Sequence, residues 1–471
     1  MNFSSELDNN QIFTTIGKAA DRLGVDCYVV GGYVRDLIMK RPSKDVDFVC
    51  VGSGIALAQE VAQSLGGLRV TIFKNFGTAR IDWEGFELEF VGARKESYRE
   101  DSRKPLVEDG TLEDDQNRRD FTINAMAISL NADKWGTLID PFDGLADIKK
   151  KIIRTPLAPE ITFSDDPLRM MRAIRFAAQL NFDIEASTFE AITVNASRLK
   201  IVSMERIIDE LNKIILTPTP SYGFKLLFHS GLLKEFFPEM VELHGVENID
   251  NKGHKDNFYH TLQVLDNTAK TSEDLWLRWA AILHDIAKPA TKRFDKVHGW
   301  TFHGHEDKGA RMVPKIFRRL KLPLDERMLF VQKLVRLHLR PIALAKAVTD
   351  SAVRRLLFEA GEDTEALMLL CRADVTSKNG EKVAKYLNNF DWVEERMAIV
   401  EEKDKVRSFQ PPIKGDEIIE LFNIPPGPIV GEIKEQIKDA ILDGEIENDR
   451  EQAYALMLKI AEKKGLDKID K

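Results

Sequence analysis

The 471-residue chain has only three cysteines, Cys27, Cys50 and Cys371, far apart and without a CxxC pair. An odd, scattered set excludes a disulfide framework and a cysteine zinc site, and fits reduced, buried thiols in cytoplasm. Long hydrophobic runs are missing as well: none approaches the ~18–20 residues of a membrane span. The opening MNFSSELDNN is polar and acidic, so neither a signal peptide nor a transit peptide is expected. There are no internal repeats and no low-complexity segment. An excess of positive charge is also lacking. The formal net charge of −8 argues against general coating of nucleic acid, but leaves room for a local basic groove.

What is present, 43% hydrophobic and 31% charged residues, describes a folded, soluble protein. The length predicts two to four domains. Residues 11–24 read as a helix leading into an apolar run, Cys27 to Val30, that stops at Gly31-Gly32. Asp45 to Val51 reads as a strand and Ile55 to Leu65 as an amphipathic helix. Further strands are expected at Arg69–Phe73, Gly77–Trp83 and Phe86–Val91, separated by turn signals. Residues 93–118, charged and without periodicity, are expected to form a long mobile loop. Beyond about residue 150 the strand signal ends and helical periodicity takes over.

Two clusters of chemistry stand in the first half. In a strand, Asp45 and Asp47 point the same way while Val46 and Phe48 face the core. Two carboxylates on one face call for a cation, and Mg²⁺ suits one or two carboxylates together with substrate phosphates. Glu87 and Glu89 share a face and could add a third carboxylate. Gly31-Gly32 lets the backbone approach a triphosphate, and Arg35 can neutralise it. The implied chemistry is two-metal nucleotidyl transfer. In DDPLRMMRAIRFAAQL, Asp166, Arg169, Arg172 and Arg175 recur in steps of three and would form a slanted ridge on a helix, with Met170, Met171, Ile174 and Phe176 free to pack. An Asp and an Arg one turn apart offer an acceptor and a rigid donor fork able to read a base edge.

GGYVRD…DVDF, LEDDQNRRDFTINAMA, IDPFDGLADI, DDPLRMMRAIRFAAQL and MERIIDEL resemble, in order, the motifs of class II tRNA nucleotidyltransferases, the CCA-adding enzymes related to bacterial poly(A) polymerases. The resemblance covers residues 27–245. It implies an α+β protein with a DNA-polymerase-β-like head (1–150), a helical neck and body (151–250), a helical HD domain (251–385) and a helical tail (386–471) that contacts tRNA. It implies Asp45, Asp47 and Glu89 as catalytic carboxylates, the first two holding Mg²⁺. Gly31, Gly32 and Arg35 would lie near the triphosphate, Arg119 and Asp120 at the nucleotide, with Asp120 at the ribose. Asp166 and Arg169 would serve as a protein template for CTP or ATP, supported by Arg172 and Arg175. The family has Glu-Asp where this chain has Asp165-Asp166. The intact loop at 93–118 resembles that of complete CCA enzymes.

His260, His284, Asp285, His303, His305, His338 and Asp374 form a second ordered set. Imidazoles and carboxylates of this kind suit a mono- or dinuclear transition-metal site. The set resembles the HD-domain phosphohydrolases over residues 256–380. That resemblance implies His260, His284, Asp285 and Asp374 as core ligands, with His305 and His338, together with His303, for a second ion. Ni²⁺, Mn²⁺, Co²⁺ or Fe²⁺ would suit, and a second, hydrolytic activity follows. Basic stretches KIFRRLKL (315–322) and VRRLLF (353–358) are solvated faces or a phosphate track. The expected partners are tRNA, CTP and ATP, with no membrane and no protein partner evident. Poly(A) addition, A-only addition, and a vestigial head beside a working HD domain are the alternatives.

Overall fold

The segment Cys27–Val30 is apolar and buried throughout, and in Asp45–Cys50 the apolar Val46, Phe48, Val49 and Cys50 are buried with it. In the computed structural model, residues 1–74, 77–99, 102–249, 252–345, 349–377, 379–404 and 412–468 are described. The chain divides into two compact units, Met1–Val241 and Glu242–Lys471. It is an α+β protein with a sheet head and a mainly helical remainder.

The head strands are β1 (Cys27–Val30), β2 (Asp45–Cys50), β3 (Thr71–Phe73), β4 (Thr78–Trp83), β5 (Phe86–Gly92), β6 (Arg94–Arg99), β7 (Ser102–Asp109), β8 (Ala127–Ser129) and β9 (Leu138–Ile139). Seven of them form one sheet in the order β3-β4-β5-β2-β1-β8-β9. Within that sheet, among the described residues, only β2 and β5 pair in parallel, because the helix Gly54–Ser64 and the β3–β4 hairpin carry the chain across between them. Their register places Phe48 beside Phe90, whose rings stack at 5.1 Å in the core. A slip of one residue would turn those rings to the other face, so the core fixes what that face carries.

Of the loop expected at 93–118, positions 100–101 lie outside the described residues, and the rest is mostly regular structure. β6 and β7 pair as an antiparallel hairpin, followed by the helix Leu112–Asn117, whose Thr111 and Asp114 form a reciprocal cap. The hairpin has no apolar alternation to read; Arg94 opposite Asp109 and Lys95 opposite Glu108 match charge instead. The helical body likewise contains a two-residue parallel pairing, Ile152–Ile153 with Asp183–Ile184, too short to show a period.

In the second unit, Asn257–Thr271, Leu275–Leu283, His305–Arg319, Glu326–Leu337 and Thr364–Ala373 are the main helices before the long Gly380–Asp404. Asp256 and Asp274 cap the first two by accepting from backbone N–H groups two and three residues on. A short hairpin, Arg293–Asp295 with Gly299–Thr301, interrupts the helices. The last three helices, Gly415–Phe422, Pro428–Asp443 and Arg450–Lys463, close on a core of their own around Ile418, Ile433, Ile437 and Met457.

Candidate functional site

The β2–β5 register that stacks Phe48 on Phe90 also sets Asp45 beside Glu87 and Asp47 beside Glu89 on the opposite face. Arg80 of β4 pairs with Glu87 at 2.8 Å, which leaves Glu89 as the neighbour of Asp47. Burial pushes Asp47 above the usual carboxylate range, with Asp45 and Asp115 adding to the rise and Arg119 opposing it, and burial with the charge of Asp47 pushes Glu89 up. A strand pair that raises its own carboxylates in this way fits a divalent cation.

Gly31, between β1 and the helix Gly32–Ile38, has φ +74°. A Cβ there would lie 2.9 Å from Arg119 Nη1 and 3.5 Å from Asp47 Oδ2, so the absence of a side chain lets Arg119 approach the carboxylates. Arg119 is steadied from behind by the fully buried Asp115, which accepts from its Nε and Nη2 at 3.0 and 2.9 Å and also pairs with Arg118.

Arg35, expected near the triphosphate, lies on the helix Gly32–Ile38. It is 5% exposed, donates to Asp36 and to Asn124 Oδ1, and lies over the Phe176 ring. Its guanidinium is therefore committed within the protein. Asp120 is likewise buried and accepts from Arg172, Asn124 and the Phe121 N–H. Burial opposes its ionisation, but Arg172, Asn124 and Arg169 outweigh this and hold it at about 2.

The arginine ridge is only partly a ridge. Asp166 is extended, just before the helix Leu168–Leu180, and its carboxylate accepts the Leu168 N–H at 3.0 Å. Arg169 spends one N–H on the Arg118 carbonyl at 2.6 Å. Arg172 bridges to Asp120, and Arg175 is buried against Glu210 and Gln179 with its guanidinium 3.9 Å from the Phe176 ring centroid. Arg35, Arg172 and Arg175 thus surround one aromatic ring, which packs edge-on against Phe121. Only Asp166, Arg169 and Arg172 stay partly exposed; Met170, Met171, Ile174 and Phe176 pack inward.

In the second unit, helix ends converge. His284, His338 and Asp374 each sit at the C-cap of a helix, and His305 at the first turn of another. The negative ends of three helix dipoles favour a cation there. Nδ1 of His284, His305 and His338 donates to the carbonyls of Ala281, Phe302 and Val335, each three residues back, at 2.7–2.8 Å. A carbonyl only accepts, so these bonds fix the tautomer and leave each Nε2 lone pair as the donor atom. His260 Nδ1 meets Thr376 Oγ1 at 2.9 Å.

The Nε2 atoms gather around two aspartates. His260 Nε2 lies 3.0 Å from Asp374 and 3.4 Å from Asp285, and His284 Nε2 lies 3.2 Å from Asp285. His305 and His338 reach the other oxygen of Asp285 at 3.2 and 4.0 Å. Asp285 thus joins two ligand groups, His260–His284 and His305–His338. His284 Nε2 is buried without a hydrogen bond, which suits an atom reserved for a metal, while Asp285 Oδ2 also meets the Lys288 ammonium at 2.6 Å. Burial would lower His284, but the charges of Asp285 and Asp374 outweigh it and push it up to about 10, so a cation bound there would take the place of the Nε2 proton; burial and the neighbouring His284 push His338 down to about 4. His303 is exposed and lies outside both groups.

Residues 27–154 match the poly A polymerase head domain, 181–243 the family described as "Probable RNA and SrmB- binding site of polymerase A", and 257–379 the HD domain. The A-adding tRNA nucleotidyltransferase of Deinococcus radiodurans is 31% identical over 432 residues, spanning 90% of this chain and 93% of that protein. The chain belongs to the tRNA nucleotidyltransferase family. The CCA-adding enzyme of Geobacillus thermodenitrificans is 30% identical over 447 residues, 93% of this chain and 94% of that one. The structure of the Bacillus stearothermophilus CCA-adding enzyme in complex with CTP matches with a TM-score of 0.67 at 26% identity, covering 97% of this chain and 98% of the other. Among the described residues, no helix of this nucleotidyltransferase is long and apolar enough to cross a membrane.

Several supporting residues of the nucleotidyltransferase escaped the sequence reading. Asp115 could have been found from its i, i+3 and i, i+4 spacing to Arg118 and Arg119. Lys288, one turn after Asp285 and 2.6 Å from its Oδ2, had the same kind of signal. Asn124, Glu210 and Thr376 had none, because their partners lie far away in sequence.

Proposed function

We propose that the head adds CCA to the 3′ end of tRNA from CTP and ATP without a nucleic-acid template. The observation that carries this reading is the pairing of Asp47 with Glu89, beside Asp45 and the uncovered backbone of Gly31. Asp45, Asp47 and Glu89 would hold Mg²⁺, which when bound supplies Lewis-acid activation of the 3′-hydroxyl and charge neutralisation of the pyrophosphate leaving group. The chain's own residues position the reactants. Gly31 and Gly32 admit the triphosphate close to the backbone, and Arg119, braced by Asp115, presents Nη1 to it. The 3′-oxygen attacks the α-phosphorus in line, and pyrophosphate leaves on the opposite side. Asp166 and Arg169 meet the edge of the incoming base, the acceptor and the donor fork standing side by side. Arg172 and Arg175 act through Asp120, Glu210 and Phe176, keeping that helix in place, and Arg35 acts through Asn124.

His260, His284, Asp285, His305, His338 and Asp374 would hold one or two divalent transition ions, for hydrolysis of a phosphoester. The three cysteines are free and buried, which supports work in the cytoplasm. One observation favours a second reading of the head: the Deinococcus radiodurans relative is named A-adding, so this chain would then add only the terminal A.

The test supplies tRNA transcripts lacking CCA, ending in C, or ending in CC, each with CTP, ATP or both, and reads products at single-nucleotide resolution. Addition that stops after CCA on the shortest transcript is expected. A single A on the CC-ended transcript alone would replace this reading with A addition, and long A tracts would replace it with poly(A) synthesis.

A further inference from the structure

The helix that supplies His305 carries an unbalanced charge on its outer face. Ala310, Val313, Ile316 and Phe317 of His305–Arg319 are buried. Arg311, Lys315 and Arg318 stand exposed at i, i+4 and i+7, one line along about 10 Å of helix. None of the three makes an ion pair or side-chain hydrogen bond among the described residues. That distinguishes them from other arginines of the same unit: Arg327, Arg354, Arg355, Arg372, Arg396 and Arg450 each pair with a carboxylate. The exposed acid of the helix, Asp307, lies in its first turn, 4.0 Å from Arg336.

Folding does not account for the row. Like charges at i, i+3 and i, i+4 destabilise a helix by a few tenths of a kcal/mol per pair, and the C-terminal dipole favours only the last of the three. In a chain of net charge −8, three aligned cations without internal partners match an external polyanion. We propose that Arg311, Lys315 and Arg318 bind the phosphate backbone of tRNA, giving the helix that supplies His305 an RNA contact separate from the tail. The proposal rests on the chain's membership of an RNA-modifying family and is independent of any hydrolytic activity.

The experiment measures binding of a tRNA transcript to the full chain by fluorescence anisotropy between 50 and 200 mM salt. Wild type is compared with the combined Arg311→Gln, Lys315→Gln, Arg318→Gln variant and with Lys18→Gln, an exposed lysine on the helix Gln11–Leu23 of the first unit. Three lost phosphate contacts should flatten the slope of log K against log salt by about 2–3 and weaken binding about tenfold at the lowest salt. Lys18→Gln should leave the slope unchanged, and all three proteins should melt alike. An unchanged slope and affinity in the triple variant would overturn the proposal while wild-type binding stands. Wild type that binds no tRNA would overturn it together with the family-level reading. If the triple variant lost only binding to phosphatidylserine vesicles, with tRNA affinity intact, the stripe would belong to a membrane surface and the proposal would fall.

Discussion

The two candidate metal sites are built on opposite plans. The head gathers carboxylates alone, from two neighbouring strands, on the open face of a sheet. The second unit gathers four imidazoles and two carboxylates from helix ends, with His284, Asp285, His305 and His338 buried. A hard ion that keeps waters and takes substrate phosphates suits the first arrangement, which on the proposed reading a nucleotide would complete. The second can satisfy an ion by itself, since the protein supplies the donors and fixes their tautomers. Openness suits a reaction on the end of a macromolecule; enclosure suits a metal that stays.

Substitutions that break one plan should spare the other. The largest effect is expected from Asp47→Ala, which should lower single-nucleotide addition to tRNA by about 10³-fold or more. Hydrolysis of bis-p-nitrophenyl phosphate by the same preparation should be unchanged, and parallel loss of both would erase the distinction. Asp285→Ala is the mirror experiment. It should strip metal from the second unit and cut hydrolysis by about 10²-fold, with nucleotide addition intact.

Gly31→Ala probes the head with a smaller change. The new Cβ would lie 2.9 Å from Arg119 Nη1 on a backbone with φ +74°, so addition should fall by about 10–100-fold. Gly66→Ala shares a positive φ but meets nothing within 4 Å, and should carry only backbone strain of about 1–2 kcal/mol. Equal loss of activity in both would remove Arg119 from the site.

Asp120→Asn gives the smallest effect, read as stability. The folded value of about 2 lies below the ordinary 3.8. Its contribution, about 2 kcal/mol, is therefore complete above pH ~4 and lost as the pH falls toward 2. Urea unfolding of wild type should weaken across that window. The Asn variant should start about 2 kcal/mol lower at pH 7 and weaken less.

Alternation made much of the head legible: Asp45 and Asp47 on one face follow from period two, and Val46 and Phe48 in the core follow with them. The neighbour of Asp47 does not follow, because alternation assigns a face and says nothing about which strand lies alongside. The β6–β7 hairpin was invisible because its described ends pair charges without an apolar face. On the helix Leu168–Leu180 the period placed the arginines, but their functions depend on Asp120 and Glu210, 52 and 35 residues from their partners. In the second unit the ligand types and order were readable, whereas the carbonyls that set the tautomers carry no side-chain signature.

The difference between the sites is tested most directly by metal content after equilibration with Mn²⁺ and rapid desalting, with and without CTP. Without CTP, wild type should retain metal that Asp285→Ala loses. With CTP, further metal should be retained, and Asp47→Ala should abolish that increment alone. Metal held in the head of Asp285→Ala without nucleotide, or no nucleotide-dependent increment in wild type, would contradict the contrast between an open site and a closed one.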